Sequence, residues 1–174
     1  MFLDLKRSLG LLFVGLFLPS ITGCSATRPL ERRAVATAGE PKIVEEPIAL
    51  SPSINARVTK IQFFEGERSK LAFADRKYET RFATKMTRTV YTEINLDHPG
   101  AQTNIYFPIR LDFRQNGRTL RIEEVDSRIG PEWTGSSHVI SAGNFDPGKW
   151  SVGNYEIDVY INAKKAATAY FEIY

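Results

Sequence analysis

NIYFPIRLDFRQNGRTLRIEEV, residues 104–125, is the stretch whose reading decides the fold. Apolar and polar residues alternate through its first half. Ile105, Phe107, Ile109, Leu111 and Phe113 fall on one side, and Tyr106, Pro108, Arg110, Asp112 and Arg114 on the other. A period of two marks a strand with one buried face. Asn116-Gly117 then supplies two residues that tolerate positive φ, as a two-residue type I′ hairpin requires. That turn sets a register pairing Phe113 with Leu120 and Leu111 with Ile122 inside, and Asp112 with Arg121 and Arg110 with Glu123 outside. Apolar then meets apolar and each charge meets its opposite, as cross-strand energetics favour. Ile109 opposite Glu124 breaks the pattern, so a bulge or strand end is expected there, with Val125 turning inward. Pro108 has no amide hydrogen, so one side of the strand there is expected to be an edge or bulge.

Downstream, YEIDVYI (155–161) and AATAYFEIY (166–174) alternate in the same way. For Ile157 and Val159 to share a face with Ala167, Ala169 and Phe171, the NAKK loop must be an odd-residue hairpin, with Asn162 in the left-handed region. Further strands are expected at about 57–64, 87–96 and 137–141. Six or seven short strands over about 120 residues, with weak helical periodicity, predict two packed antiparallel sheets. The fold class expected is all-β, an immunoglobulin-like β-sandwich over residues 54–174.

Working towards the N-terminus, residues 25–53 hold Pro29, Pro41, Pro47 and Pro52, four basic and four acidic residues, and no aromatic. Such a stretch buries too little apolar area to offset ordering entropy, so residues 24–53 read as a flexible linker. Before it, Lys6 and Arg7 lead into the ten-residue apolar run LGLLFVGLFL (9–18). Ten residues fall short of the roughly 20 a membrane-spanning helix needs, and the pattern is that of a secretory signal over residues 1–23.

Cys24 is the one cysteine in the chain, so no disulfide is available to support the fold. Ile21-Thr22-Gly23-Cys24 resembles the lipobox of bacterial lipoproteins, with Ile21 in place of the commoner Leu. The resemblance implies cleavage before Cys24 and lipidation of that residue, which removes the liability of a free thiol in an exported protein. Several acyl chains on one residue exceed what stable anchoring needs. If the cell is Gram-negative, Ser25 lacks the acidic retention signal of lipoproteins, which implies the periplasmic leaflet of the outer membrane. Removing residues 1–23 takes Lys6 and Arg7 from the 23 basic residues and Asp4 from the 20 acidic ones, leaving 21 and 19, a net of +2. RKYETRFATKMTR (76–88) is the densest basic stretch, but Glu79 and aromatics interrupt it, and no nucleic-acid partner is expected.

RVTKIQFFEG, TEINLDHPG, IGPEWTGSS and GKWSVGNYEIDVYINAKKAATAYFEIY resemble successive blocks of a bacterial β-sandwich module found in exported or multidomain proteins of varied architecture. The resemblance spans about residues 57–174, with Ala163 where glycine is usual. It implies the sandwich fold and a non-catalytic accessory role.

No catalytic constellation emerges. GSSHVISAGNFD (135–146) contains a serine, a histidine and an aspartate, but no G-x-S-x-G elbow. With two histidines in the chain, His98 and His138, no zinc site is expected. Asn144, Asp146 and Asn154 lack the Asp-x-Asp-x-Asp spacing of a calcium loop. The chain therefore reads as no enzyme, with no cofactor, metal or small-molecule substrate. Trp133 and Trp150 fall in or beside loops and read either as caps on the core or as platforms for a sugar or peptide. The alternation points Tyr106, Tyr160 and Tyr170 outward from strands expected to share one sheet, with Arg110 nearby. Tyrosine and arginine are enriched in binding hot spots, so these four residues form the expected contact surface for an envelope protein partner. A carbohydrate or peptidoglycan module is the alternative, and an exported hydrolase a lesser one.

Overall fold

The computed structural model describes residues 39–66 and 72–174. Cys24, the signal segment and the first part of the expected linker lie outside the described residues. Among the described residues ten strands follow in chain order: β1 (Lys42–Ile43), β2 (Ile48–Ser51), β3 (Ile54–Gly66), β4 (Arg81–Phe82), β5 (Thr89–Asp97), β6 (Ile105–Gln115), β7 (Arg118–Ile129), β8 (Gly135–Gly143), β9 (Gly153–Ile161) and β10 (Lys164–Ile173). One sheet has the order β2-β3-β5-β8. The other runs β1-β10-β9-β6-β7, with β4 parallel to β10 on the same edge as β1. The long strands change sheet in the order β3 and β5, then β6 and β7, then β8, then β9 and β10. That Greek-key distribution is immunoglobulin-like, and the fold is an all-β sandwich.

Alternation builds the core. Ile109, Leu111 and Phe113 of β6, Ile157, Val159 and Ile161 of β9, and Ala167, Ala169 and Phe171 of β10 are buried against Val90, Ile94 and Leu96 of β5. Phe171 is the aromatic hub, with its ring centroid 5.0 Å from Tyr155, 5.2 Å from Phe63 and 5.9 Å from Trp150. The Trp150 indole N–H donates to the Arg88 carbonyl at 3.0 Å, so its polar atom is satisfied inside. Trp150 is thus a core residue. Among the described residues, the buried core cluster runs from Ile48 to Ile173.

Three sequence expectations are corrected. The domain begins before residue 54: Ile48 and Leu50 of β2 are in the core, and β1 pairs with β10. In IALS the alternating pair Ile48 and Leu50 outweighs the prolines around it, because a hydrogen-bonded edge position offers those side chains a buried face.

The β6–β7 register is also displaced. Asn116 (φ 52°) and Gly117 (φ 76°) form the expected two-residue turn, and Gln115 pairs with Arg118. Leu120 is then bulged out, so Phe113 faces Arg121, Leu111 faces Glu123, Asp112 faces Ile122 and Arg110 faces Glu124. The bulge expected near Ile109 thus occurs next to the turn, and Ile109 pairs with Val125. Leu120 and Ile122 are half exposed as a result. The physical reason lies in β8. With this register Arg121 donates to the Gly143 carbonyl at 2.6 Å and Ser127 meets His138, polar contacts that join the two sheets along their open edge.

The β9–β10 hairpin repeats the device. Asn162 (φ 49°) and Ala163 (φ 65°) make a two-residue turn rather than an odd one, and a bulge at Ala166 restores the facing of Val159 with Ala167 and Ile157 with Ala169. Pro108 sits inside the sheet, but one residue past the last β6–β9 pair. Its carbonyl accepts from the Asn162 amide at 2.9 Å on the β9 side. A residue's N–H and C=O point to the same side of a strand, so its missing N–H faces the place where β9 has ended.

Candidate functional site

The candidate site is the outer face of the β10-β9-β6-β7 sheet. Register places Arg110 opposite Tyr160, Asp112 opposite Asp158, and Arg114 opposite Glu156. Across the β9–β10 ladder, Tyr160 meets Lys165, Asp158 meets Thr168, and Glu156 meets Tyr170.

At the centre of this face is Asp158, only 3% exposed. It accepts from Lys165 Nζ at 2.6 Å, Thr168 Oγ1 at 2.9 Å and Arg114 Nη1 at 3.2 Å. Burial alone would raise this carboxyl, but the hydrogen bonds from Lys165, Thr168 and Arg114 outweigh it and hold the group below the ordinary carboxylate range. The same hydrogen bond raises the Lys165 ammonium. Arg110 pairs with Asp112 along its own strand, with Nε 2.9 Å from Oδ1, and lies over the Tyr160 ring at 4.4 Å from the centroid. These contacts hold flexible side chains in one arrangement, so a partner would meet a surface with little entropy left to lose.

Tyr106, Tyr160 and Tyr170 do share this face, yet they do not gather. Tyr160 aligns with Arg110, four residues along β6 from Tyr106, and Tyr170 aligns through Glu156 with Arg114, eight residues along. At about 3.4 Å per residue, Tyr106 and Tyr170 are separated by about 27 Å along the strand direction. The face has a charged middle with a tyrosine at either end. Arg110 and Tyr160 are the two expected residues that the fold brings into contact. Asp158 was missed because only the register of three strands brings the donors Lys165, Thr168 and Arg114 around it.

The opposite outer face, on the β2-β3-β5-β8 sheet, is covered in part by the chain itself, around Glu93, while Arg57, Thr59, Ser137 and Val139 stay exposed. Glu93 projects outward from β5 and is 1% exposed. It accepts from Arg76 Nη1 and the Tyr78 hydroxyl at 2.8 Å each, and from Ser137 Oγ at 2.9 Å. Arg76 also lies over Phe64, which stacks on Tyr91 with centroids 4.9 Å apart. The segment carrying Arg76 and Tyr78 is therefore fastened across that sheet.

His98 and His138 join in one hydrogen-bond chain. His98 Nδ1 donates to the Pro99 carbonyl at 3.2 Å, leaving Nε2 to accept from Ser136 Oγ at 3.2 Å. Ser136 Oγ in turn accepts from His138 Nε2 at 2.7 Å, and His138 Nδ1 accepts from Ser127. These tautomers follow from the partners. Burial first, and the neighbouring His98 second, lower the His138 pKa to about 4. His138 has serine, not aspartate, as its second partner. Asp146 lies past the far end of β8, so the Ser-His-Asp residues of GSSHVISAGNFD do not converge. Among the described residues no three His, Cys, Asp or Glu side chains gather as a metal site, and Asn154 lies within β9 rather than in a loop. Trp133, in contrast to Trp150, is 48% exposed and lies on the backbone at Gly130, where an added Cβ would sit 2.8 Å from the ring.

No protein-family model matches the chain, and comparison with curated proteins finds no match. Among solved structures, an immunoglobulin-like protein from Pseudomonas aeruginosa is similar at 14% identity and a TM-score of 0.39, covering 79% of this chain and 99% of that one.

Proposed function

We propose that this chain is a lipid-anchored envelope protein, non-catalytic, whose sandwich binds or scaffolds another envelope component through the outer face of the β10-β9-β6-β7 sheet. One observation carries the choice of face. The other sheet is covered in part by the segment around Arg76 and Tyr78, whereas this one presents Arg110, Tyr160, Arg114 and Glu156 to solvent in a prearranged network. Arginine and tyrosine held in place suit a protein partner, because the rigid ring and guanidinium lose little freedom on binding. The anchor is the lipid on Cys24, and the expected site is the periplasmic leaflet of the outer membrane in a Gram-negative cell.

Photo-crosslinking from position 156 in intact cells, followed by mass spectrometry, tests the face. A discrete adduct that disappears in Arg110→Ala/Tyr160→Ser supports the proposal, and an adduct unchanged in that variant, with folding retained, refutes it. Labelled palmitate tests the anchor: label on the wild type and none on Cys24→Ala is expected. The half-exposed ring of Trp133 favours a second reading, a glycan platform. Retention on peptidoglycan that is lost in Trp133→Ala would establish it.

A further inference from the structure

One end of the sandwich is formed by the turn Asn116–Gly117, residues 83–88 before β5, residues 144–152 between β8 and β9, and the C-terminal Tyr174. The registers bring these together: Gly66, Thr89 and Gly143 are aligned across three strands, as are Arg114 with Glu156 and Ile173 with Gly153. This end exposes large apolar side chains from separate segments. Met86 and Phe145 are each 73% exposed, Val152 66%, and Leu120 53%. Isolated exposed apolar residues are ordinary, but several on neighbouring loop tips mark an interaction surface.

The charges around them are mostly of one sign. Lys85, Arg88, Arg118 and Lys149 are exposed and form no ion pair with any described residue. Glu65 and Asp146 are the acidic residues of these segments outside an ion pair. Lys85 and Arg88 flank Met86 on the rim of a cleft of about 420 Å³ that Glu65, Gly66 and Pro147 complete.

We propose that this end rests on an anionic lipid bilayer, with Met86, Phe145 and Val152 entering the headgroup boundary and Lys85, Arg88 and Lys149 against lipid phosphates. Apolar tips ringed by bases are the chemistry of peripheral attachment, where apolar insertion and attraction to anionic lipid act together. The path of the chain fits the same orientation. β1 is antiparallel to β10, Lys42 facing Thr168, and β10 ends at this end of the sandwich, so the chain enters β1 from that side. Gly39 and Pro41 lie beside Tyr170 and Thr80 accordingly. This last point rests on the reading of Cys24 as the anchor; the exposed side chains and their charges do not.

The test is sedimentation of the full chain with Cys24→Ala, which carries no thiol for lipid, with vesicles of phosphatidylglycerol and phosphatidylcholine or of phosphatidylcholine alone. Binding to the anionic vesicles alone is expected, weakened tenfold or more by Lys85→Glu/Arg88→Glu/Lys149→Glu and by Met86→Ser/Phe145→Ser, and unchanged by Arg128→Glu at the other end. Circular dichroism checks folding, and if the apolar variant misfolds the charge-reversed one decides. Absent binding, equal binding to both vesicles, or indifference to charge reversal would overturn the proposal. Loss of a protein crosslink in these variants without vesicle binding would assign the surface to a protein instead. Palmitate labelling reports on Cys24 separately, so failure of the anchor and failure of this surface are distinguishable.

Discussion

Arg110 and Tyr160 stand directly opposite each other in the β6–β9 ladder, and the guanidinium lies 4.4 Å from the centre of the ring. The pair is partly exposed at the middle of the open sheet face. A cation–π contact of this kind contributes about 0.5–1 kcal/mol. A double-mutant cycle with Arg110→Ala and Tyr160→Leu in urea unfolding should return a coupling of about that size. On the proposed binding role, crosslinking from this face should fall far more than stability does.

Asp158 holds three donors, and Asp158→Asn would leave Lys165 without its carboxylate and Arg114 with Glu156 alone. A loss of about 1–3 kcal/mol at pH 7 is expected, in line with the cost of orphaned charged partners. The folded group titrates below its ordinary value of 3.8, so its stabilisation is present above that pH and disappears as pH falls through the lowered value. Urea unfolding at neutral and strongly acid pH checks both statements, and the gap between wild type and variant should close in acid.

His138 behaves in the opposite part of the pH range. Its pKa falls from 6.5 to about 4 in the folded protein. Between those values the unfolded chain takes up a proton that the folded one refuses, so stability is full above pH 6.5, declines as pH drops towards 4, and levels off below. At about 1.4 kcal/mol per pKa unit, the decline from neutral pH to about pH 5 approaches 2 kcal/mol. His138→Gln should flatten that slope, and a proton NMR titration should show the ring neutral in the folded state at pH 5.

The two hairpin turns give opposite outcomes for opposite changes. Gly117 has φ 76° with open space where a Cβ would stand, so Gly117→Val costs conformational strain alone, about 1 kcal/mol or more. Ala163 already carries that strain at φ 65°, and Ala163→Gly should raise stability by up to about 1 kcal/mol. Thermal unfolding of the two variants reads both signs.

Glu93 is a buried charge whose partners come from the segment crossing its sheet. Glu93→Ala should cost about 3–5 kcal/mol, because it leaves the Arg76 guanidinium largely buried and unpaired. Trypsin should then cut after Arg76 or Lys77 in the variant well before it cuts the folded wild type.

Alternation in 104–115 and 155–174 was enough, by itself, to determine β strands, their inward faces and a sandwich, because a period of two admits one buried side whatever the partner. The Asn116-Gly117 turn was equally legible, since its residue types answer a local backbone demand. Which residue faces which was decided only in the tertiary structure. A bulge at Leu120 and another at Ala166 each shift a register by one residue, and the gain that selects the first bulge comes from Gly143 and His138 on a strand of the other sheet. The scattering of Tyr106, Tyr160 and Tyr170 follows from those registers, as does the burial of Asp158. Glu93 shows the same limit: a carboxylate at an outward position of its strand is buried because a distant segment, carrying Arg76 and Tyr78, closes over it. Local patterns set the face of a side chain, and long-range pairing sets its neighbours.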